Sequence, residues 1–315
     1  MTLPVLSLIV WSPFVGALLV MLIYPGQHPL SIRGLGAQAL HLTNYWVILH
    51  GDTTLPVGTH VYWSLAVEEH FYLMFPLLYL LMRRSRLSAR DQALALWSLC
   101  GLVLLWRCVL VYGEHVGAER TFLGTDTRID AILFGCALAV WKNPVLDGVS
   151  DNERLWKWSV VPAALLALGL CFIERADAFR ETFRYSVQGI ALTVIFIAAI
   201  RYEKWIVFRW LNTKPMIFLG TLSYSLYLIH DAALVNIARL NPGLARLVIA
   251  ALALALSVGV AWLLYVTVEK PCARARKRLL MRARKPPAPE APPRTVSAER
   301  PSSRRPAGSA NTRWA

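Results

Sequence analysis

Two adjacent carboxylates lie inside one of the most apolar stretches of the chain. In YWSLAVEEHFYLMFP, a helix would present Ser64, Glu68 and Tyr72 on one face, because they are spaced four residues apart. A carboxylate desolvated beside a second one, here Glu69, binds its proton more tightly and could act as a general base or orient a histidine. The alternative is that both acids simply reach the interface between the bilayer and the water on its outer side, where a tryptophan such as Trp63 is also favoured.

A second charged group stands where a later apolar run begins, in GTDTRIDAILFGCALA. Asp126 and Asp130 are four residues apart and could flank the guanidinium of Arg128. The group is either a functional site or a structural ion-pair cluster at a helix start, where aspartate is favoured. Arg107, in LLWRCVLVY, could bind a phosphate or carboxylate by two hydrogen bonds, or could pair with one of these acids.

A third polar group occurs in LGTLSYSLYLIHDAAL. Ser223, Tyr227 and His230 follow one helical face, and Asp231 is next to His230. A histidine within an apolar helix could take or pass a proton near neutral pH. A histidine that only packs and forms a hydrogen bond is the open alternative.

The surrounding sequence predicts that membrane helices position these groups. Of 315 residues, 56% are hydrophobic, and the mean hydropathy is +0.47, higher than is usual for a soluble domain. Several nearly uncharged runs reach about 20 residues, which as a helix span a hydrocarbon core of about 30 Å. Because a helix satisfies its own backbone hydrogen bonds in lipid, the predicted fold class is all-α, a polytopic transmembrane helical bundle.

Eight spans are predicted. They are Leu3–Ile23, Tyr62–Met82, Ala93–Val111, Ile129–Trp141, Ser159–Ile173, Ser186–Ile200, Met216–Ile237 and Leu244–Val268. The fourth is short, and we expect it to be tilted or broken. A ninth candidate, Leu35–Leu49, is interrupted by polar residues and is expected to be re-entrant or to lie in the interface.

The basic residues predict the orientation of the bundle. The net charge is +14, and the loops after even-numbered spans, with the tail, hold 24 basic residues, whereas the opposite loops hold seven. The positive-inside rule therefore places both termini in the cytoplasm. Basic runs interleaved with aromatic residues are absent from any folded soluble segment, so nucleic acid is not a predicted partner.

The predicted bundle occupies residues 1–269, and residues 270–315 form a basic tail. Its first part, EKPCARARKRLLMRARK, is expected to lie along the membrane surface, and the Pro-, Ser- and Arg-rich remainder is predicted to be disordered. Four of the five cysteines lie in apolar runs and none forms a C-x-x-C pair, so neither a disulfide framework nor a zinc site is predicted.

Four segments, in this order, resemble the acyltransferase 3 family of bacterial membrane O-acyltransferases. YWSLAVEEHFYLMFPLL resembles its Trp-Ser-Leu-x-x-Glu-x-x-Phe-Tyr-Leu signature, and TDTRIDAILFGCALA resembles its Thr-Asp-x-Arg-x-Asp-x-Leu-x-x-Gly segment. LGTLSYSLYLIHDAAL resembles the Gly-x-x-Ser-Tyr-x-x-Tyr-Leu-x-His helix, and VEKPCARARKR resembles the Glu-x-Pro exit of the final span. The resemblance covers about Met1 to Lys277.

The resemblance implies transfer of an acyl group, often acetyl, to a hydroxyl of an envelope glycan or glycolipid. Acyl-CoA would be the donor substrate, and neither a metal nor another cofactor would be needed. The family motifs imply roles for Trp63, Ser64, Glu68, Phe71, Tyr72, Arg128, Asp130, Ser223, Tyr224, Tyr227, His230, Glu269 and Pro271.

The sequence thus yields a candidate site. The predicted catalytic residues are Glu68, His230, Arg128 and Asp130, and the predicted substrate-binding residues are Trp63, Ser64, Tyr72, Arg107, Asp126 and Tyr227. A histidine would deprotonate the acceptor hydroxyl, arginines would hold the donor phosphates or the developing oxyanion, and Glu68 would orient the base.

The chain departs from the family at its start. Family members begin with two further spans, which carry a basic residue and a histidine taken as the catalytic pair, whereas this chain begins at a stretch resembling the third span. The resemblance therefore implies N-terminal truncation and impaired activity, with His230 as the remaining candidate base. Two alternatives use the same polar interior: a transporter or flippase for a lipid-linked saccharide, and a non-catalytic remnant that packs against another envelope protein.

Overall fold

The computed structural model describes residues 31–56, 58–147 and 152–283. Within these ranges the regular structure is entirely helical, which confirms the all-α fold class. The first predicted span, Leu3–Ile23, and the tail after position 283 lie outside the described residues.

Fourteen helices follow one another through the described ranges. They are α1 (Ile32–Ala39), α2 (Thr43–His50), α3 (Tyr62–Arg84), α4 (Ala89–Gly113), α5 (Ala118–Leu123), α6 (Thr125–Arg128), α7 (Asp130–Val140), α8 (Glu153–Ile173), α9 (Asp177–Glu181), α10 (Phe183–Arg201), α11 (Ile206–Arg209), α12 (Lys214–Leu240), α13 (Arg246–Leu264) and α14 (Lys270–Ala283). A π-helical turn, Tyr265–Glu269, joins α13 to α14 without a break.

Six of these elements are long and apolar enough to cross a bilayer: α3, α4, α8, α10, α12 and the continuous helix that starts with α13. They confirm the second, third and fifth to eighth predicted spans, with ends displaced by a few residues. The fourth predicted span is α7, whose 11 residues measure about 16 Å, so it cannot cross a core of about 30 Å alone. The total of eight spans stays a prediction.

The ninth candidate segment forms two short helices, α1 and α2, each of eight residues. The chain reverses between them at His41, whose φ of 56° lies in the left-handed region. Ser31 caps α1 by accepting a hydrogen bond from the Gly34 amide at 3.2 Å. The segment therefore does not cross the membrane as one helix, and its placement in the interface stays a prediction.

The first part of the basic tail, which is expected to lie along the membrane surface, is helical. The helix continues through the π-helical turn to Ala283, the last residue that the structure describes. The sequence of α14 is made largely of Ala, Arg, Lys and Leu, which are strong helix formers, so nothing after α13 stops the helix. The Pro-, Ser- and Arg-rich remainder lies outside the described residues, and its disorder stays a prediction.

Helix α3 is packed on two sides, and this arrangement positions the candidate site. On one side Phe71 lies in an apolar cluster with Leu96 of α4 and Phe134 of α7. On the other side Leu65 packs against Leu228 of α12. The polar residues of α3 consequently face two separate neighbourhoods.

Gly58 allows the loop before α3 to rest directly on α12. Its φ is +77°, and a Cβ built there would overlap the backbone of Ala232. Gly51 has a similar φ of +74°, but a Cβ there would meet no atom within 4 Å. The two glycines therefore share a backbone requirement and differ in their surroundings.

We predict that Gly58→Ala lowers the thermal unfolding temperature in detergent more than Gly51→Ala does. Both variants incur a left-handed penalty of about 1–2 kcal/mol, but only Gly58→Ala adds a collision that must displace the loop from α12. Equal losses for the two variants would show that the close approach at Gly58 does not matter for stability.

Candidate active site

The hydroxyl of Tyr227 joins α12 to α3. It lies 2.7 Å from the Ser64 hydroxyl and donates to the Val61 carbonyl at 3.2 Å. Leu65 and Leu228, which directly follow Ser64 and Tyr227 in their helices, are buried in one apolar cluster. The polar contact therefore adjoins apolar packing between the two helices. Two residues predicted to bind substrate from distant motifs are thus brought together.

Glu68 is half-buried one helical turn after Ser64. Its carboxylate interacts electrostatically with the Tyr227 hydroxyl and with Glu69. It forms no hydrogen bond or ion pair with any residue that the structure describes. The Glu68 carboxylate is therefore partly shielded from solvent and is not paired with any described cation. It is available to hydrogen-bond a substrate or to orient a base.

His230 is held by its own helix. Its Nδ1 lies 2.6 Å from the Tyr227 carbonyl oxygen, and its ring centroid is 5.5 Å from that of Tyr227. Because a carbonyl oxygen only accepts, Nδ1 carries the proton in the neutral ring, and Nε2 keeps its lone pair. The side chain is exposed, so Nε2 is accessible as a base.

A polar pocket of about 460 Å³ opens between the loop before α3 and the end of α12. Its charged and polar lining consists of Asp52, Thr53, His60, Asp231 and Arg239. Asp231 also interacts electrostatically with Tyr227, so the pocket adjoins the contact between Tyr227 and Ser64. Sequence reasoning missed the contribution of the loop, because its polar residues belong to no spaced motif.

Arg107 and Asp130 form a buried ion pair. The two terminal nitrogens of Arg107 donate to the two carboxylate oxygens of Asp130 at 3.2 and 2.8 Å, and further to the Thr127 carbonyl and the Ser186 hydroxyl, both at 2.7 Å. Arg107 is 0% exposed and Asp130 1% exposed. Of the two alternatives for Arg107, pairing with an acid is the one found. Burial of both groups favours a scaffold role over the predicted substrate-binding and catalytic roles.

Asp126 belongs to a different pair. It accepts hydrogen bonds from Arg120 at 2.9 and 2.5 Å and from the Trp106 indole at 2.7 Å. Burial acts to raise the pKa of Asp126, but the hydrogen bonds from Arg120 and Trp106 outweigh it and hold the pKa below its usual value. The hydrogen bond with Asp126 raises the pKa of Arg120.

The prediction that Asp126 and Asp130 flank Arg128 is therefore wrong. Each acid forms its ion pair with an arginine from outside the motif, so Arg128 forms no ion pair with a described carboxylate, although Asp130 still interacts with it electrostatically. Its guanidinium lies 4.0 Å from the ring centroid of Tyr185 and 5.9 Å from that of Trp63. Arg128 thus lies near Trp63 of α3, whereas Tyr227 contacts the next residue, Ser64.

A further polar cluster went unnoticed in the sequence. The Thr125 hydroxyl lies 2.7 Å from Nδ1 of His70 and accepts a hydrogen bond from the Asn44 amide at 2.9 Å. The same amide donates to the Leu123 carbonyl at 3.2 Å. These bonds tie α2, α3 and α6 together. In the sequence, the only indication of this cluster was the position of His70, which directly follows Glu69. On a helix, His70 points away from Glu68.

The remaining predicted residues lie apart from this centre. Tyr72 is 58% exposed, although it interacts electrostatically with Glu68. Ser223 is exposed, and its hydroxyl donates to the Gly220 carbonyl at 2.9 Å. The structure therefore joins Ser64, Glu68, Tyr227 and His230 around one end of α3 and separates them from Arg128.

Comparison with known proteins decides the family. A family model described as an acyltransferase domain, that of acyltransferase 3, matches residues 3–266. This chain belongs to the acyltransferase 3 family. No solved structure matches it.

Curated relatives of this acyltransferase 3 chain share about 30% of aligned residues. The putative peptidoglycan O-acetyltransferase YrhL of Bacillus subtilis is 29% identical over 223 residues, which cover 65% of this chain and 34% of YrhL. The peptidoglycan O-acetyltransferase OatA of Listeria monocytogenes is 31% identical over 221 residues, covering 64% and 34%. The O-acetyltransferase OatA of Staphylococcus aureus is 30% identical over 203 residues, covering 62% and 33%. The chain thus spans about a third of the length of these relatives.

The Glu-x-Pro motif of this acyltransferase 3 chain has a structural explanation. Glu269 lies at the end of the π-helical turn and accepts a hydrogen bond from Ser225 of α12. Ser225 is buried, so the bond satisfies a polar group that would otherwise be orphaned between helices. The motif therefore fastens the last span to the helix that carries Tyr227 and His230.

We predict that Arg107→Ala and Asp130→Ala each destabilise the protein by about 3–5 kcal/mol, because each leaves an uncompensated buried charge. Asp177→Ala, which removes an exposed pair with Arg180, should cost less than about 1 kcal/mol. Denaturant unfolding in mixed micelles measures both. The double variant Arg107→Met with Asp130→Leu should recover much of the loss. Its failure to do so would mean that the pair contributes more than mutual neutralisation.

Proposed function

We propose that this chain is the membrane module of an O-acetyltransferase that modifies a hydroxyl of a bacterial envelope glycan or glycolipid. Membership of the acyltransferase 3 family supports the reaction class. The names of YrhL and OatA, as peptidoglycan O-acetyltransferases, support an envelope glycan as acceptor. The proposed setting is the bacterial cytoplasmic membrane, with both termini in the cytoplasm and acyl-CoA as donor.

The proposal depends most on the geometry of His230. Its Nδ1 donates to the Tyr227 carbonyl, which fixes the tautomer and leaves Nε2 as the base. Nε2 would take the proton of the acceptor hydroxyl as that oxygen attacks the thioester carbonyl carbon. The carbon–sulfur bond then breaks, and the CoA sulfur leaves with the proton returned by the imidazolium. Glu68 is the proposed carboxylate that would stabilise the imidazolium, since it interacts electrostatically with Tyr227, whose ring centroid lies 5.5 Å from that of His230.

The polar pocket is the proposed acceptor site. Carboxylates of Asp52 and Asp231 accept hydrogen bonds from sugar hydroxyls, and Arg239 and His60 donate them. The pocket volume of about 460 Å³ falls in the usual range for small-molecule sites. The charge distribution of the loops predicts that this end of α12 faces outward, where an envelope glycan is located.

We predict that His230→Gln lowers acetyl transfer by about 100-fold or more, the usual contribution of a general base. The measurement is transfer from radiolabelled acetyl-CoA to peptidoglycan fragments in membranes that contain the chain. Glu68→Gln should reduce transfer about tenfold, as expected when a charge-assisted contact is lost. The exposed His115→Asn and Glu203→Gln serve as matched controls and should leave transfer unchanged.

Equal labelling of the wild type, His230→Gln and Glu68→Gln would overturn the assignment of the base and its partner. Movement of a lipid-linked saccharide across sealed vesicles, with no acetyl-CoA consumed, would instead identify the chain as a transporter. Absence of both activities in the wild type would favour the non-catalytic alternative.

A further inference from the structure

A groove of about 440 Å³ runs between α7 and α10 and is separate from the proposed acceptor site. Its walls are mostly apolar, with Ala131 and Leu138 on α7 facing Leu192 and Phe196 on α10, and they also include Gln188 and Thr193. The lining extends over about 10 Å of α7 and about 22 Å of α10, at 1.5 Å per residue. Phe196 is 60% exposed, so the groove is open along its length. These dimensions suit an extended hydrocarbon chain better than a compact ligand.

One end of the groove carries an excess of positive charge. Three guanidinium groups surround the buried ring of Tyr185, with Arg128 at 4.0 Å, Arg184 at 5.0 Å and Arg107 at 5.4 Å from its centroid. Among the described residues only Arg107 has a carboxylate partner, which is Asp130. The Nε of Arg184 is buried without a hydrogen-bond acceptor in the same part of the chain. Arg128 and Arg184 therefore form no ion pair with a described carboxylate, although Asp130 interacts electrostatically with Arg128 and Arg184 donates to the Tyr185 hydroxyl at 3.1 Å. Arg128 and Tyr185 both line this end of the groove.

We propose that this groove binds an anionic membrane phospholipid. Its phosphate would lie between Arg128 and Arg184, and one acyl chain would follow α7 and α10. Guanidinium groups bind phosphate oxygens by two parallel hydrogen bonds, which suits a headgroup at this position. The proposed occupant is a bilayer lipid and not a water-soluble anion, because the positively charged end of the groove continues into exposed apolar walls. These walls would contact an acyl chain, which a soluble anion lacks. This inference does not depend on acetyl transfer.

Gly135 offers a way to block the groove without disturbing the packing. It lines the groove on α7, and a Cβ built there would meet no atom within 4 Å. Gly189, on the facing helix, is different, because a Cβ there would overlap the ring of Phe134. A leucine at position 135 would therefore project into empty space in the groove. Gly101 of α4 is exposed and equally unobstructed, so Gly101→Leu is a matched control.

The experiment is photolabelling of the purified chain by a phosphatidylglycerol with a diazirine on one acyl chain, followed by peptide mass spectrometry. We expect labelled peptides from α7 and α10 in the wild type, and only background labelling there in Gly135→Leu. Arg128→Gln should lower the labelling about tenfold, the loss expected for a charge-assisted hydrogen bond. Gly101→Leu should label like the wild type. Thermal unfolding of each variant checks that it is folded.

Three results would overturn the proposal. One is equal labelling by a diacylglycerol that carries the same diazirine chain without a phosphate. Another is undiminished labelling of α7 and α10 in a folded Gly135→Leu variant. The third is displacement of the label by acetyl-CoA at concentrations where unlabelled phosphatidylglycerol has no effect, which would make the groove a donor site.

Discussion

The buried ion pair between Arg107 and Asp130 is the constraint on which the arrangement of this bundle depends. A charge in the hydrocarbon region is costly unless it is paired, and this pair is also hydrogen-bonded to the Thr127 carbonyl and the Ser186 hydroxyl. It therefore joins α4, α7 and α10 at one depth. It also holds the start of α7, a helix too short to be placed by the bilayer alone. Because Asp130 is committed to Arg107, Arg128 is left to face the ring of Tyr185.

Helix α3 divides the polar interior into two neighbourhoods with different chemistry. Trp63 lies on the side of Arg128, whereas the next residue, Ser64, contacts Tyr227. The side that includes Tyr227 contains a histidine with a fixed tautomer, a half-buried carboxylate and a polar pocket, which together suit proton transfer to or from a hydroxyl. The side that includes Arg128 contains two guanidinium groups, Arg128 and Arg184, that form no ion pair with a described carboxylate, beside mostly apolar walls, and this combination suits an anion attached to a chain. Helix α3 thus borders two separate candidate regions, one suited to a hydroxyl and the other suited to a lipid anion.

The helical fold could be predicted from the sequence, because few backbone structures other than a helix satisfy their hydrogen bonds within a bilayer. Apolar runs of sufficient length had to be helices, so six of the predicted spans appear with small shifts at their ends. Local spacing was a weaker guide to ion pairs. The interval between Asp126 and Asp130 suggested that both flank Arg128, yet their partners are Arg120, six residues upstream of Asp126, and Arg107, which belongs to another helix. The lining of the polar pocket was equally hidden, since Asp52 and His60 reach it from an irregular loop.

The close contact of Gly58 with Ala232 has a consequence for how a glycan could enter. The loop that forms one wall of the polar pocket touches the backbone of α12 with no space for even a methyl group. Contact between two backbones leaves little freedom to slide or rotate, in contrast to contact through long side chains. This wall of the proposed acceptor pocket is therefore held closely against α12, and sugars would be selected there by size before any hydroxyl is recognised inside.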